Sequence, residues 1–180
     1  MKDQSILEYE LLNTLEFTST RKRMSVILRD RQSSQILLLC KGADSIIKAR
    51  LDPNDNETGK FMRLTQTHVD AFANEGLRTL LLAKKKIDES YYQEWNMKFQ
   101  LALGQVIGKD EKINALNEEV ETGLKLVGAT AIEDKLQEEV QETIVAFKQA
   151  GIKVWVLTGD KVETAINVGF AAGLLNSQMV

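Results

Sequence analysis

The sequence holds one cysteine, Cys40, one histidine, His68, and one proline, Pro53, in 180 residues. A lone cysteine excludes an internal disulfide and any multi-cysteine metal site, and a lone histidine excludes a histidine cluster within one chain. No apolar run approaches the roughly 18 residues that would cross a bilayer. The opening MKDQSILEYE lacks the long apolar segment of a signal peptide. The formal net charge of -3 argues against a general nucleic-acid binder. Repeats and low-complexity tracts are missing as well. A soluble protein in a reducing setting is the expectation.

Hydrophobic residues make up 43% of the chain, enough for a sizeable core. Residues 6–17 alternate, with Leu7, Tyr9, Leu11, Leu15 and Phe17 on one parity, which predicts a half-buried strand bent near Leu12-Asn13. A polar break and a basic triplet, Arg21-Lys22-Arg23, lead to a second strand over Met24–Arg29. Ile36–Cys40 is apolar on both faces and reads as a central strand, joined to the second by a short polar loop as in an antiparallel hairpin. A short helix from Ser45, a surface loop over Asp52–Gly59 and a helix over 63–75 with the stripe Leu64, His68 and Phe72 follow. Leu77–Ile87 reads as a strand ending in Lys84-Lys85-Lys86, most simply a solvated strand end. Two helices come next, one burying Tyr92, Trp95, Phe99 and Leu103, the other Ile113, Leu116 and Val120. Gly123 marks a domain boundary, dividing 1–123 from 124–180.

Beyond it the pattern changes. Leu124–Ile132 predicts a strand, and Leu136, Val140, Ile144 and Phe147 an amphipathic helix stopping at Gly151. Ile152–Leu157 is an apolar run of the kind buried on both faces of a parallel sheet. Val162, Ala165, Ile166, Gly169 and Phe170 then recur at helical spacing up to Gly173. This is a β-α-β-α unit with a right-handed crossover. The fold class expected is therefore α+β, an antiparallel sheet with flanking helices, joined to an α/β piece. Ligands of open α/β sheets sit beyond the carboxyl ends of the strands, which puts Thr158, Gly159 and Asp160 at a candidate anion site. Asp160 followed by Glu163 is equally a helix-capping pattern that needs no ligand.

In the first part, Phe17, Ser19, Lys41, Gly42 and Arg78 are the ingredients of a nucleotide pocket. A ring at a strand end can stack on a purine, an ammonium beside a glycine can neutralise a phosphate, and a guanidinium can grip one through its planar fork. Each has an ordinary alternative: Phe17 as core, Lys41 as an exposed strand end, Arg78 paired with Glu75. Cys40 points to the other side of its strand and reads as an inert core residue.

Five motifs in order carry a resemblance: LEFTSTRKRMSVI (15–27), CKGAD (40–44), EGLRTL (75–80), GATAIEDKLQ (128–137) and VLTGDKVETAINVG (156–169). Together they resemble P-type ATPases, and in detail the phospholipid-transporting branch, the flippases. The resemblance implies part of a nucleotide-binding domain followed by part of a phosphorylation domain of the haloacid dehalogenase type. Phe17 would stack on adenine with Ser19 nearby, Lys41 would line the ATP pocket, and Arg78 would reach the phosphates. Thr158, Gly159 and Asp160 would face the terminal phosphate, and Asp134 would lie near the interdomain hinge. For the intact pump it implies ATP, magnesium and phospholipid, the pump's remaining domains, an accessory membrane glycoprotein subunit, and a place on the cytosolic face of a membrane.

The departures are specific. The DKTGT loop with the phosphorylated aspartate and the GDGxND magnesium loop do not occur in the sequence. The resemblance also implies that the chain starts inside the nucleotide domain. No catalytic or metal-ligating residue is therefore assigned, and the chain alone is expected to bind ATP without hydrolysing it. Three other readings stand beside this one. They are an ion-transporting pump of the same superfamily, against which EDKLQ in place of a proline pair speaks, a truncated non-catalytic nucleotide-binding or interaction protein, and a structural domain.

Overall fold

The computed structural model describes residues 7–133, 135–159 and 162–176. Two compact units are present, Met1–Met62 with Leu80–Gly128, and Arg63–Thr79 with Ala129–Val180. One five-stranded sheet has the order β1-β2-β3-β4-β5, formed by β1 (Tyr9–Leu15), β2 (Arg23–Asp30), β3 (Ile36–Gly42), β4 (Arg78–Ile87) and β5 (Lys125–Ile132). The pairs β1–β2, β2–β3 and β3–β4 are antiparallel. The helices are α1 (Asp44–Lys48), α2 (Asn56–Asn74), α3 (Glu89–Leu103), α4 (Lys109–Val120), α5 (Val140–Gln149) and α6 (Val162–Ala171).

In the first unit the alternation of β2 and β3 divides the sheet into two unlike faces. Ser25, Ile27, Ile36, Leu38 and Cys40 are buried on one face. Helices α3 and α4 cover it, through Trp95, whose Nε1–H donates to the Leu116 carbonyl at 2.9 Å, and Tyr92, whose hydroxyl donates to Asn13 Oδ1 at 2.7 Å. On the other face Met24 and Val26 are half-buried and Leu39 and Lys41 exposed, so β3 is central in the order but is open on one side, unlike the two-sided burial expected of it.

The bend expected in β1 is a register shift between Leu11 and Asn13. Inserting one residue moves every later side chain to the opposite face. Leu7 and Leu11 are consequently 60% exposed while Leu15 is 1%, although all three share a parity.

Helix α2 begins at Asn56, inside the segment expected to be a loop. Asp55 accounts for this, accepting from the Glu57 amide at 3.2 Å and the Thr58 hydroxyl at 3.0 Å, an N-terminal cap. The buried stripe is Thr58, Thr65, Val69 and Ala73, one position on from the predicted Leu64, His68 and Phe72. In α3 Ala102 takes the buried place expected of Leu103.

Among the described residues the predicted parallel β-α-β-α arrangement does not form. Lys125–Ile132 joins the sheet beside β4, and Ile152–Leu157 is extended and forms no ladder among the described residues, with Trp155 83% and Leu157 98% exposed. A strand is stable only through a ladder to a neighbour, and no described strand pairs with this segment. Helix α5 starts at Val140, leaving Leu136 outside it. Gly76 ends α2 at φ 81°, where an added Cβ would lie 3.0 Å from Asn167 Nδ2, and Gly173 follows α6 at φ 68°.

Candidate functional site

The open face of the sheet carries a cavity of ≈370 Å³ within the first unit. Met24 and Val26 of β2, Leu39 and Lys41 of β3, Leu82 of β4 and Val127 of β5 line it, with Ser25, Cys40 and Ala83. Strand register causes this convergence. Lys41 stands opposite Met24 on one side and Leu82 on the other, and Val26 stands opposite Leu39. The walls are thus almost wholly apolar, with one ammonium among them. Lys41 is exposed and no hydrogen-bond or ion-pair partner occurs for it among the described residues. An apolar cleft of a few hundred Å³ with few polar groups is the usual form of a small-molecule site.

Gly42, next along β3, has a structural purpose. A Cβ there would meet Arg23 Cβ at 2.6 Å and the Lys22 carbonyl at 2.8 Å, so its missing side chain admits β2 and leaves no opening for a ligand. Cys40 is buried, and burial pushes its thiol pKa up, which keeps it protonated and unreactive.

Phe17 lies two residues beyond β1 and is 59% exposed; Ser19 is exposed in the turn that follows. Neither is among the residues lining the cavity. That turn is anchored from below, because Arg21 donates to the Glu16 carbonyl at 2.5 Å and to Glu121 Oε1 at 2.5 Å. Glu121 at the end of α4 also accepts from Arg23 Nε at 2.7 Å and from the Ser25 hydroxyl at 2.5 Å. Arg23 reaches Glu118, which pairs with Arg50 as well. Burial pushes the Glu118 carboxyl up, but hydrogen bonds from Arg23 and Arg50 outweigh it and leave its pKa below the usual value.

Sequence reading treated Arg21-Lys22-Arg23 as a plain basic triplet and missed this network. A signal for it exists, since Arg21, Arg23 and Ser25 share the parity of the buried Ile27. The lysine run behaves likewise: Lys85 points into the helix-covered side, donating to the Thr122 carbonyl at 2.9 Å, and burial lowers its pKa. Lys84 and Lys86 on either side are exposed.

Arg78 opens β4 and is exposed; Thr158 and Gly159 follow Ile152–Leu157 and are exposed too. All three belong to the second unit. Asp160 and Asp134 lie outside the described residues. Among the described residues no group of three or more His, Cys, Asp or Glu could hold a metal ion, and no helix is long and apolar enough to cross a membrane.

Comparison with known proteins resolves the family. The family model described as P-type ATPase, cytoplasmic domain N, matches residues 3–139. The chain belongs to the P-type ATPases. Relatives that this P-type ATPase chain resembles include phospholipid-transporting members. It is 51% identical over 173 residues to probable phospholipid-transporting ATPase 7 of Arabidopsis thaliana, covering 96% of this chain and 14% of the relative. It is 48% identical over 171 residues to phospholipid-transporting ATPase dnf2 of Schizosaccharomyces pombe, covering 95% of this chain and 12% of that one. With phospholipid-transporting ATPase DRS2 of Saccharomyces cerevisiae the identity is 49% over 172 residues, 96% of this chain and 12% of the relative. This P-type ATPase chain therefore spans about one eighth of the length of the relatives it matches.

Proposed function

We propose that this chain is the ATP-binding portion of a P-type ATPase that moves phospholipid between membrane leaflets. The observation carrying the proposal is the unpartnered Lys41 ammonium at an apolar cavity on the open sheet face. An adenine ring suits walls of Met24, Leu39 and Leu82, and Lys41 would supply charge to the phosphates. Phe17, exposed on an anchored turn beside Ser19, would stack on the base from outside the cavity, and Arg78 would reach the phosphate chain.

On this reading residues 1–123 are part of the nucleotide-binding domain and 124–180 part of a haloacid dehalogenase-like phosphorylation domain. Thr158, Gly159 and Asp160 would face the γ-phosphate there. Asp134 would lie near the hinge. The intact protein would use ATP with magnesium to phosphorylate an aspartate supplied by another segment and couple its hydrolysis to lipid movement. It would act on the cytosolic face of a membrane, together with the pump's remaining domains and an accessory membrane glycoprotein subunit. An ion-transporting pump is the weaker reading, because the matched relatives are phospholipid-transporting proteins.

Calorimetric titration of the 180-residue chain with ATP tests the pocket. Lys41→Ala is expected to weaken binding about tenfold, the loss of one charge-assisted hydrogen bond, and Phe17→Ala by a similar factor through lost stacking. Circular dichroism should show both variants folded. Affinity unchanged in both would overturn the pocket.

A further inference from the structure

Phe17 stands on a turn with little packing of its own. Residues 16–20 are all exposed, Phe17 by 59%. The direction of its ring is therefore set by the backbone that carries it. Arg21, the residue that follows this exposed run, is only 7% exposed and ties the turn at both ends. Its guanidinium donates from Nη1 to the Glu16 carbonyl and from Nη2 to Glu121 Oε1. Its own amide donates to the Thr18 hydroxyl at 3.1 Å.

Lys22 closes the turn in the left-handed region at φ 50°, an uncommon place for a residue with a Cβ. Two backbone bonds hold it there. Its amide donates to the Thr18 carbonyl at 2.8 Å, and its carbonyl accepts from the Ala43 amide at 3.0 Å. A strained conformation persists only where the surroundings over-determine it, and such residues gather at ligand sites.

The buried carboxylate below does not need Arg21 for its own satisfaction. From β2, Arg23 Nε donates to Glu121 at 2.7 Å, and the Ser25 hydroxyl donates to it as well. Arg21 adds a second guanidinium, and one nitrogen of its planar fork goes to the turn. A side chain fixed before a ligand arrives binds more tightly than one that must be ordered on arrival.

We propose that Arg21, braced by Glu121, is a positioning residue that holds the 16–22 turn so that Phe17 presents its ring to the base. The inference rests on the nucleotide reading in which Phe17 stacks on adenine. It gives Arg21 no contact with the nucleotide.

The test measures ATP binding by calorimetry and adenosine binding by NMR titration. The proteins are the 180-residue chain and its Arg21→Gln, Arg21→Lys, Phe17→Ala, Arg21→Gln/Phe17→Ala and Arg50→Gln variants. Arg21→Gln is expected to weaken ATP and adenosine alike by about fivefold, the cost of ordering a loosened turn. In the Phe17→Ala background the same change should cost nothing further, because the ring it positions is gone. Arg21→Lys should fall between Arg21→Gln and the unsubstituted chain. If Arg21→Gln does not fold, Arg21→Lys and its combination with Phe17→Ala carry the same comparison. Arg50 pairs with Glu118 in the same charge network and bonds the Ile46 carbonyl, away from the turn. Arg50→Gln is therefore expected to lower the urea midpoint and leave ATP affinity unchanged.

ATP affinity unchanged in Arg21→Gln but reduced in Phe17→Ala would overturn the positioning role and leave the nucleotide reading standing. Loss for ATP with none for neutral adenosine would overturn it too, showing an effect of charge. Additive losses in the double variant, or an equal loss in Arg50→Gln, would do the same. An unsubstituted chain that binds neither ligand would overturn both the positioning role and the nucleotide reading.

Discussion

Glu121 has no solvent exposure, and it accepts hydrogen bonds from two guanidinium groups and a hydroxyl. Arg21 and Arg23, 7% and 1% exposed, both pair with this carboxylate, and Arg23 pairs with Glu118 as well. A buried ion pair is a poor guide to net stability, because desolvation offsets most of its attraction, but removing one partner leaves the other charge stranded in a medium that cannot solvate it. Glu121→Ala would strand Arg21 and leave Arg23 with Glu118 alone. It is expected to destabilise the chain by about 3–5 kcal/mol, the range for a broken buried pair, read as a lowered urea midpoint. Because Arg21 also holds the Glu16 carbonyl, the same change loosens the turn carrying Phe17 and Ser19. A urea midpoint within experimental error of the unsubstituted chain would show that water reaches these guanidinium groups.

At the level of elements, the sequence is readable wherever a pattern is satisfied locally and unreadable wherever it depends on a neighbour. The β2–β3 hairpin and the aromatic stripe of α3 follow from alternation and helical spacing. The bend in β1 is marked by Leu11-Leu12, two apolar residues in succession, but its effect on which leucines are buried depends on where the extra residue is accommodated. The α2 stripe lies one position on from where the spacing of Leu64, His68 and Phe72 predicts it, because Thr58 and Thr65 do not look like core. Lys41 is legible as a candidate because it stands near a strand end next to glycine. The cavity walls were not, because Met24, Val26, Leu39, Leu82 and Val127 meet only through register across four strands. Ile152–Leu157 makes the point most sharply: its composition suits a doubly buried strand, and without a paired neighbour it lies exposed. Hydrogen exchange should separate these cases. Amides of residues 153–157 in the 180-residue chain are expected to exchange close to the rate of an unstructured peptide, while those of Ile27 and Leu38 should be protected near the limit set by global unfolding. Protection of 153–157 comparable to β2 would mean that the segment has found a strand partner.

For the whole molecule, the proposed reading implies one part of a phosphoryl transfer and not the rest. Transfer needs a bound nucleotide, a metal to neutralise developing charge, and a carboxylate nucleophile in line with the γ-phosphate. The cavity with Lys41 answers to the first requirement on the proposed reading. The sequence contains no DKTGT loop and no GDGxND loop, so the family's nucleophile and its magnesium-holding aspartates are not provided by these 180 residues. On that reading binding without turnover is the expectation, since an enzyme gains rate only from groups that stabilise the transition state and not from affinity for the substrate alone. Incubation of the chain with ATP labelled at the γ-position and magnesium, followed by acid quench, is expected to leave no label on the protein while titration still reports ATP binding. Acid-stable, hydroxylamine-sensitive label would place an acyl-phosphate on one of the chain's own carboxylates and overturn the assignment of the nucleophile to another segment.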